Sequence, residues 1–164
     1  MPAAREVSVQ LTVNGAARAA AVPARTLLVH FLRDQLRLTG THVGCDTTQC
    51  GACTVALDGV AVKSCTVLAA QADGHEVTTV ESFGSEEELD NLQSAFKQHH
   101  ALQCGFCTPA FLLVSSCLAG EGPLDRRQLR EALSGVLCRC TGYSRIIDAV
   151  EDWLTSDERN AHSA

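Results

Sequence analysis

Residues 44–55 read Gly44-Cys45-Asp46-Thr47-Thr48-Gln49-Cys50-Gly51-Ala52-Cys53-Thr54-Val55. Three thiols fall within nine residues, with four and two residues between them, and Cys65 follows after eleven more. C-x4-C-x2-C with a distal fourth cysteine is the plant-type spacing of a [2Fe–2S] centre. Such a cluster is a bulky anion whose sulfurs need hydrogen-bond donors, so the chain must wrap it with backbone N–H groups. Gly44 and Gly51 allow the tight turns and close approach this requires. The fourth thiol must return from elsewhere, and the next residues supply the return. Thr54–Leu57 and Val60–Lys63 flank Asp58-Gly59, a two-residue hairpin signal. Pairing Leu57 with Val60 sets Cys53 beside Ser64 and Cys65 beside Ala52. In an ideal ladder the two thiols would face opposite sides, so the chain is expected to leave strand geometry there. Four cysteines also suit zinc, usually as two close pairs; three crowded ligands and one distant one favour the cluster.

Upstream, Val7, Val9, Leu11 and Val13 alternate with Ser8, Gln10 and Thr12, the period of a half-buried strand. Asn14-Gly15 predicts a hairpin, with the return strand over Ala16–Val22 and ending at Pro23. Thr26 is placed to cap a helix from Leu27 to about Leu36, with Leu28, Phe31 and Leu32 buried and Gly40 just past its end. A last strand is predicted over Glu76–Val80. Strands packed on one helix make an α+β domain, here residues 1–82.

Residues 81–88 read as a solvated linker leading into a helix, and beyond them the pattern turns helical. Leu89, Leu92 and Phe96 mark a helix ending near His100. Thr108 and Pro109 suit the cap and first turn of the next, which runs to about Ala119 with Gly120 beyond. Asp125 is placed to cap a third helix reaching Gly135. Ser144 is placed to cap a fourth, through Ile146, Ile147, Val150 and Trp153. Four short helices predict a small bundle over residues 83–164, with a loose tail from Asp157. Two helix–loop–helix pairs echo each other here. One offers Cys104 and Cys107, the other Cys138 and Cys140, and they could meet around a single centre. Cys-x-Cys is unusual for zinc and suits two sulfurs on one iron, so a second [2Fe–2S] centre is favoured over zinc. Arg139, between two of these cysteines, either favours a reduced, more anionic cluster or simply faces solvent.

The 164 residues are 46% apolar and 20% charged, enough to bury a core. A net charge of −6 and only 4% aromatic residues argue against nucleic-acid binding. No apolar run is long enough to span a bilayer, and the N-terminus lacks a signal-peptide core. The expected compartment is therefore the reducing cytoplasm, where nine cysteines, an odd number, point to metal rather than disulfides. Cys117 falls on a helical stripe with Ala110, Leu113 and Val114 and reads as core. His42, His99 and His100 lie near cysteines but find both foursomes complete, and read as surface or supporting residues. No dinucleotide loop, P-loop, zinc-protease motif or nucleophile elbow is present. A one-electron carrier with no substrate site of its own reads as a relay within a larger assembly.

Four stretches together, residues 44–55, Val62-Lys63-Ser64-Cys65-Thr66-Val67-Leu68-Ala69, Gln103-Cys104-Gly105-Phe106-Cys107-Thr108-Pro109 and Leu137-Cys138-Arg139-Cys140-Thr141-Gly142-Tyr143, resemble the small iron–sulfur subunit of the xanthine oxidase family of molybdenum hydroxylases. The likeness extends from about Val7 to Trp153 and is strongest to separate small subunits such as those of bacterial carbon monoxide, nicotine, quinoline and caffeine dehydrogenases. It implies a plant-type ferredoxin-like (β-grasp) domain and a four-helix [2Fe–2S] domain. It implies a large molybdopterin subunit and a medium FAD subunit, often as a dimer of heterotrimers. Electrons would pass from molybdenum to the helical-domain cluster, then to the ferredoxin-like cluster and on to FAD. By the same resemblance Gln103 and Cys140 contact the molybdopterin. Ala110 replaces a usual glycine and Val136 a frequent asparagine, which bears only on helix-start packing and fine contacts near the pterin.

Overall fold

The computed structural model describes residues 5–85, 89–122 and 124–156. Strand β1 (Glu6–Val13) pairs antiparallel with β2 (Ala16–Pro23) around Asn14 and Gly15, both at positive φ as a tight two-residue turn of this hand requires. Strands β3 (Thr54–Leu57) and β4 (Val60–Lys63) form the second hairpin, in the expected register of Leu57 opposite Val60. Strand β5 (Glu76–Thr78) joins the hairpins, parallel to β1 and antiparallel to β3, giving the order β2-β1-β5-β3-β4. It is shorter than predicted because Thr79 turns away. The Thr79 N–H donates to Asn14 Oδ1 at 2.8 Å, and its hydroxyl accepts from Asn14 Nδ2.

The single helix on this sheet is a short α1 (Leu28–His30) that widens into a π-helical turn over Phe31–Gln35. Leu28, Val29, Phe31 and Leu32 are buried. Thr26 does not cap it; Leu27 stands at that position without a side-chain cap. The free N–H of Leu28 is met instead by Val67 O at 2.8 Å, while Thr26 O accepts from Ala69 N. Nor does Gly40 end the helix. Arg37 takes the left-handed conformation (φ 62°), and Leu38 N donates back to Leu32 O. Gly40 lacks a side chain because a Cβ there would strike Val80 Cγ1.

The second half holds α2 (Asn91–Gln98), α3 (Thr108–Cys117), α4 (Arg126–Leu133) and α5 (Ser144–Thr155). Asp90 with Gln93, and Asp125 with Gln128, close reciprocal capping boxes at α2 and α4. Three starts are displaced from the sequence reading. Leu89 precedes α2 and is 45% exposed, Cys107 rather than Thr108 caps α3, and Tyr143 (φ 68°) rather than Ser144 caps α5. α3 stops at Cys117, short of Ala119, in tight i→i−3 turns at Leu118 and Ala119. Arg126 forks to Asp148 and Glu151, tying α4 to α5.

Two apolar cores result. One lies between the sheet and α1 and includes Val9, Leu11, Phe31, Leu32 and Val55. The other fills the bundle with Phe96, Phe111, Leu129, Ile146 and Trp153. β3 serves both: Val55 packs into the first and Ala56 into the second. α3 lies on β3 and beneath the other helices, so Ala110 through Ser115 are all buried and the helix is apolar nearly all round. Phe83 belongs to the helical core, so the segment expected as solvated linker is anchored there. Its residues 86–88, and the expected tail from Asp157, lie outside the described residues. Leu129 is fully buried in this second core. Leu129→Ala is expected to lower stability by about 2–5 kcal/mol, read by chemical or thermal unfolding.

Candidate metal centres

The loop after α1 is held from behind by Arg33, whose Nη1 donates to Thr39 O and Thr41 O at 2.6 Å each. It then presents Cys45 and Cys50 close together. The Cys50 N–H points at Cys45 Sγ (3.5 Å). This donor, with the Cys50 thiol and Thr47, pulls Cys45 down to about 6. Thr48 sits at φ 62°, and its carbonyl accepts from Lys63 Nζ at 2.9 Å across the hairpin. Cys53 is buried at the head of β3. Ser64 bonds the Cys53 carbonyl twice, through N (3.2 Å) and Oγ (2.7 Å). Ser64–Thr66 then form a 3-10 turn. This is the departure from strand geometry expected above, and it turns Cys65 towards Cys53. Burial, followed by the Cys53 thiol, pushes Cys65 up to about 11.

In the helical half, Gly105 (φ 80°) turns the chain between Cys104 and Cys107, and Cys107 begins α3. Cys138 and Cys140 lie in the turn before α5. The Cys138 N–H donates to the Tyr143 hydroxyl (3.0 Å), and Thr141 N approaches Cys138 Sγ at 3.4 Å. Burial raises Cys138, but the hydroxyl and N–H of Thr141 outweigh it and the net shift is downward. Cys107, beside Cys138, is pushed up to about 12, first by burial. Cys140 meets Cys104 at 3.6 Å between sulfurs, and that contact raises its pKa. Cys104 and Cys140 are exposed.

The eight thiols thus meet as four pairs: Cys45 with Cys50, Cys53 with Cys65, Cys104 with Cys140, and Cys107 with Cys138. Within each foursome the pairs are close enough to feel one another's charge. Among the described residues, no three His, Cys, Asp or Glu side chains converge on a point where one ion could sit. Each pair of thiols could meet one iron of a [2Fe–2S] centre. N–H groups aimed at Cys45 and Cys138 are the donors an anionic cluster needs. All nine cysteines are free of disulfides.

The two foursomes are built against each other. Cys50 O accepts from Leu137 N at 2.8 Å, one residue before Cys138. Gly51 (φ 70°) seats on Gly135 and Val136, and a Cβ would run into the Gly135 carbonyl. His42, expected as a surface or supporting residue, stacks on Phe106 between Cys104 and Cys107. Neither these contacts nor the reach of Lys63 was foreseen. Gly51 is the hint in the sequence: the tight turn and close approach expected of it towards a cluster serve here an approach to Gly135 and Val136. Gln103 and Arg139 are exposed, while His99 bonds Asp152 (3.0 Å) on the far side of the bundle. Cys117 packs against the helical core, and burial raises its pKa. Ala110 and Val136, the two departures from the family pattern, are both buried.

Comparison with known proteins agrees with this geometry. The family described as "2Fe-2S iron-sulfur cluster binding domain" matches residues 11–104, and "[2Fe-2S] binding domain" matches 79–151. The chain is 50% identical over 147 residues to caffeine dehydrogenase subunit gamma of a Pseudomonas species, covering 87% of this chain and 88% of the relative. It is 51% identical over 150 residues to 6-hydroxypseudooxynicotine dehydrogenase complex subunit beta of Paenarthrobacter nicotinovorans, covering 90% and 94%. Against the crystal structure of quinoline 2-oxidoreductase from Pseudomonas putida, the TM-score is 0.90 at 42% identity, covering 95% of this chain and 98% of that one. The fold and sites therefore define an electron-transfer protein with two [2Fe–2S]-binding domains. The chain belongs to the xanthine oxidase family of molybdenum hydroxylases, as one of its small iron–sulfur subunits. In that family molybdopterin and FAD are carried by partner subunits.

Two outcomes follow for the cluster-free and loaded protein. In the cluster-free chain, Cys45 is ionised at neutral pH and Cys107 is not, so Cys45 should be alkylated much faster at pH 7. Its rate should fall as pH drops below about 6, as peptide mass mapping would show. Gly51→Ala should cost about 1–2 kcal/mol from its left-handed φ alone. It should also loosen the contact with Gly135, measured as a lower unfolding midpoint.

Proposed function

We propose that Cys45, Cys50, Cys53 and Cys65 hold one [2Fe–2S] cluster and Cys104, Cys107, Cys138 and Cys140 the other. The cluster domains would divide near residues 82 and 83. The observation that supports this is the meeting of the thiols in pairs, one local (Cys45 with Cys50) and three joining separate segments of the chain. Each cluster, when bound, takes up and gives back one electron at a time. The chain's own part is to hold four thiolates, supply N–H donors to them, and keep the two sites in fixed relation.

The electron path is proposed to enter at the helical-domain site and leave from the ferredoxin-like site towards FAD. The exposed position of Cys104 and Cys140 supports entry there, with Gln103 and Cys140 placed to touch the molybdopterin of a large partner subunit. Leu102, Phe106 and Leu137 surround these residues and are 43%, 46% and 54% exposed, an apolar rim suited to burial against that subunit. A medium FAD-binding subunit completes a heterotrimer, doubled in the full assembly, and the complex is proposed to be cytoplasmic. No helix among the described residues is long and apolar enough to cross a membrane.

Purified protein should be red-brown, with about four irons and four acid-labile sulfides per chain. Colourless protein with zinc in both sites would overturn the reading. In the complex, Cys65→Ser should stop electron delivery to FAD while substrate still reduces molybdenum; Cys107→Ser should interrupt the path one step earlier. Full turnover by either variant with a flavin-dependent acceptor would show the proposed order to be wrong.

A further inference from the structure

The contact between His42 and Phe106 joins the loops that carry the two foursomes, and neither residue is a cysteine ligand. His42 lies three residues before Cys45; Phe106 lies between Cys104 and Cys107. Their rings stack with centroids 4.6 Å apart and planes within 20°. His42 Nδ1 is 2.7 Å from Phe106 O. A carbonyl only accepts, so Nδ1 carries the hydrogen and donates. The imidazole thus grips the Phe106 residue twice, by its ring and by its backbone. Phe106 in turn reaches over the first site. A Cβ on Gly44 would lie 3.1 Å from Phe106 Cε1 and 3.2 Å from Cys50 Sγ, so the bare Gly44 fits between that ring and a ligand thiol.

We propose that His42 is a positioning residue that fixes the distance and orientation between the two clusters by clamping the Cys104–Cys107 loop onto the Cys45–Cys50 loop. The inference rests on the two-cluster reading above. The Cys50–Leu137 hydrogen bond and the Gly51 seat on Gly135 join the Cys45–Cys50 loop to the Cys138–Cys140 turn. The His42–Phe106 contact is the matching tie to the Cys104–Cys107 turn. Electron transfer falls steeply with the gap between centres, and the magnetic coupling of two reduced clusters falls with the inverse cube of their separation. Both quantities therefore report the clamp directly.

The test uses the purified complex with its partner subunits. Wild type, His42→Ala, His42→Asn, His42→Phe and His42→Leu are compared by iron and sulfide content, by paramagnetic resonance with both clusters reduced, and by the rate of electron passage between clusters. Asparagine places an N–H donor close to the position of Nδ1; phenylalanine keeps a ring over Phe106 but loses the donor. With full clusters, His42→Ala should lose the resolved splitting between the two signals and slow inter-cluster transfer, and His42→Asn should restore much of both. Splitting and rate unchanged in a fully loaded His42→Ala overturns the inference. If the alanine variant fails to load, unchanged values in a loaded His42→Leu, which keeps neither the ring nor the donor, overturn it equally. A wild-type complex without iron signals would instead defeat the two-cluster reading itself, so the two failures are separable.

Discussion

The hydrogen bond from Leu137 N to Cys50 O, with the bare Gly51 seated on Gly135 and Val136, makes one electron-transfer unit out of two separately cored halves. A chain carrying two clusters must do more than bind each of them. It must hold them at a fixed short separation, against the tendency of two small domains to move relative to one another. Here the ligand loops themselves form the joint. The carbonyl that accepts belongs to Cys50 of the first foursome, and the N–H that donates belongs to the residue before Cys138 of the second. β3 reinforces the joint from below, since Val55 and Ala56 commit one strand to both cores.

Each site solves the same problem with different scaffolding. A [2Fe–2S] cluster needs two thiolates on each iron. In the ferredoxin-like half, one pair is local, from the Cys45–Cys50 loop. The other is closed by a hairpin that brings Cys65 back to Cys53. In the helical half both pairs are non-local, each taking one thiol from the turn before α3 and one from the turn before α5. The bundle itself must therefore fold for either pair to exist. This explains why caps and ion pairs gather there: capping boxes at Asp90 and Asp125, and the Arg126 fork that ties α4 to α5.

The cluster-free thiols are tuned in opposite directions. Cys45 and Cys138 lie in the path of N–H or hydroxyl donors and are lowered, while Cys65 and Cys107 are raised mainly by burial. Metal binding must therefore displace protons from the buried partners, and it rewards them with a charge-neutralising iron. Cys53 is buried at the head of β3 while Cys104 and Cys140 lie at the surface, so the second foursome presents the more exposed face.

The sequence alone determined the hairpin registers, the α+β class and the family, and it supplied the two cysteine foursomes proposed as ligand sets, because these follow from local turn chemistry, period-two and helical patterning, and cysteine spacing. Leu57 opposite Val60 was readable because Asp58-Gly59 permits only a tight turn. The exact helix starts were less so: Cys107 and Tyr143 displaced Thr108 and Ser144 because the ligand turns, not side-chain caps, set where the chain enters α3 and α5. The end of α1 depended on Arg37 rather than Gly40, since packing against Val80 had already claimed the glycine. Which thiol pairs with which, why Gly51 must be bare, and that His42 grips Phe106 were decided only in three dimensions. Each rests on contacts between segments tens of residues apart, and no local spacing encodes the distance between two loops that meet only after both cores have formed.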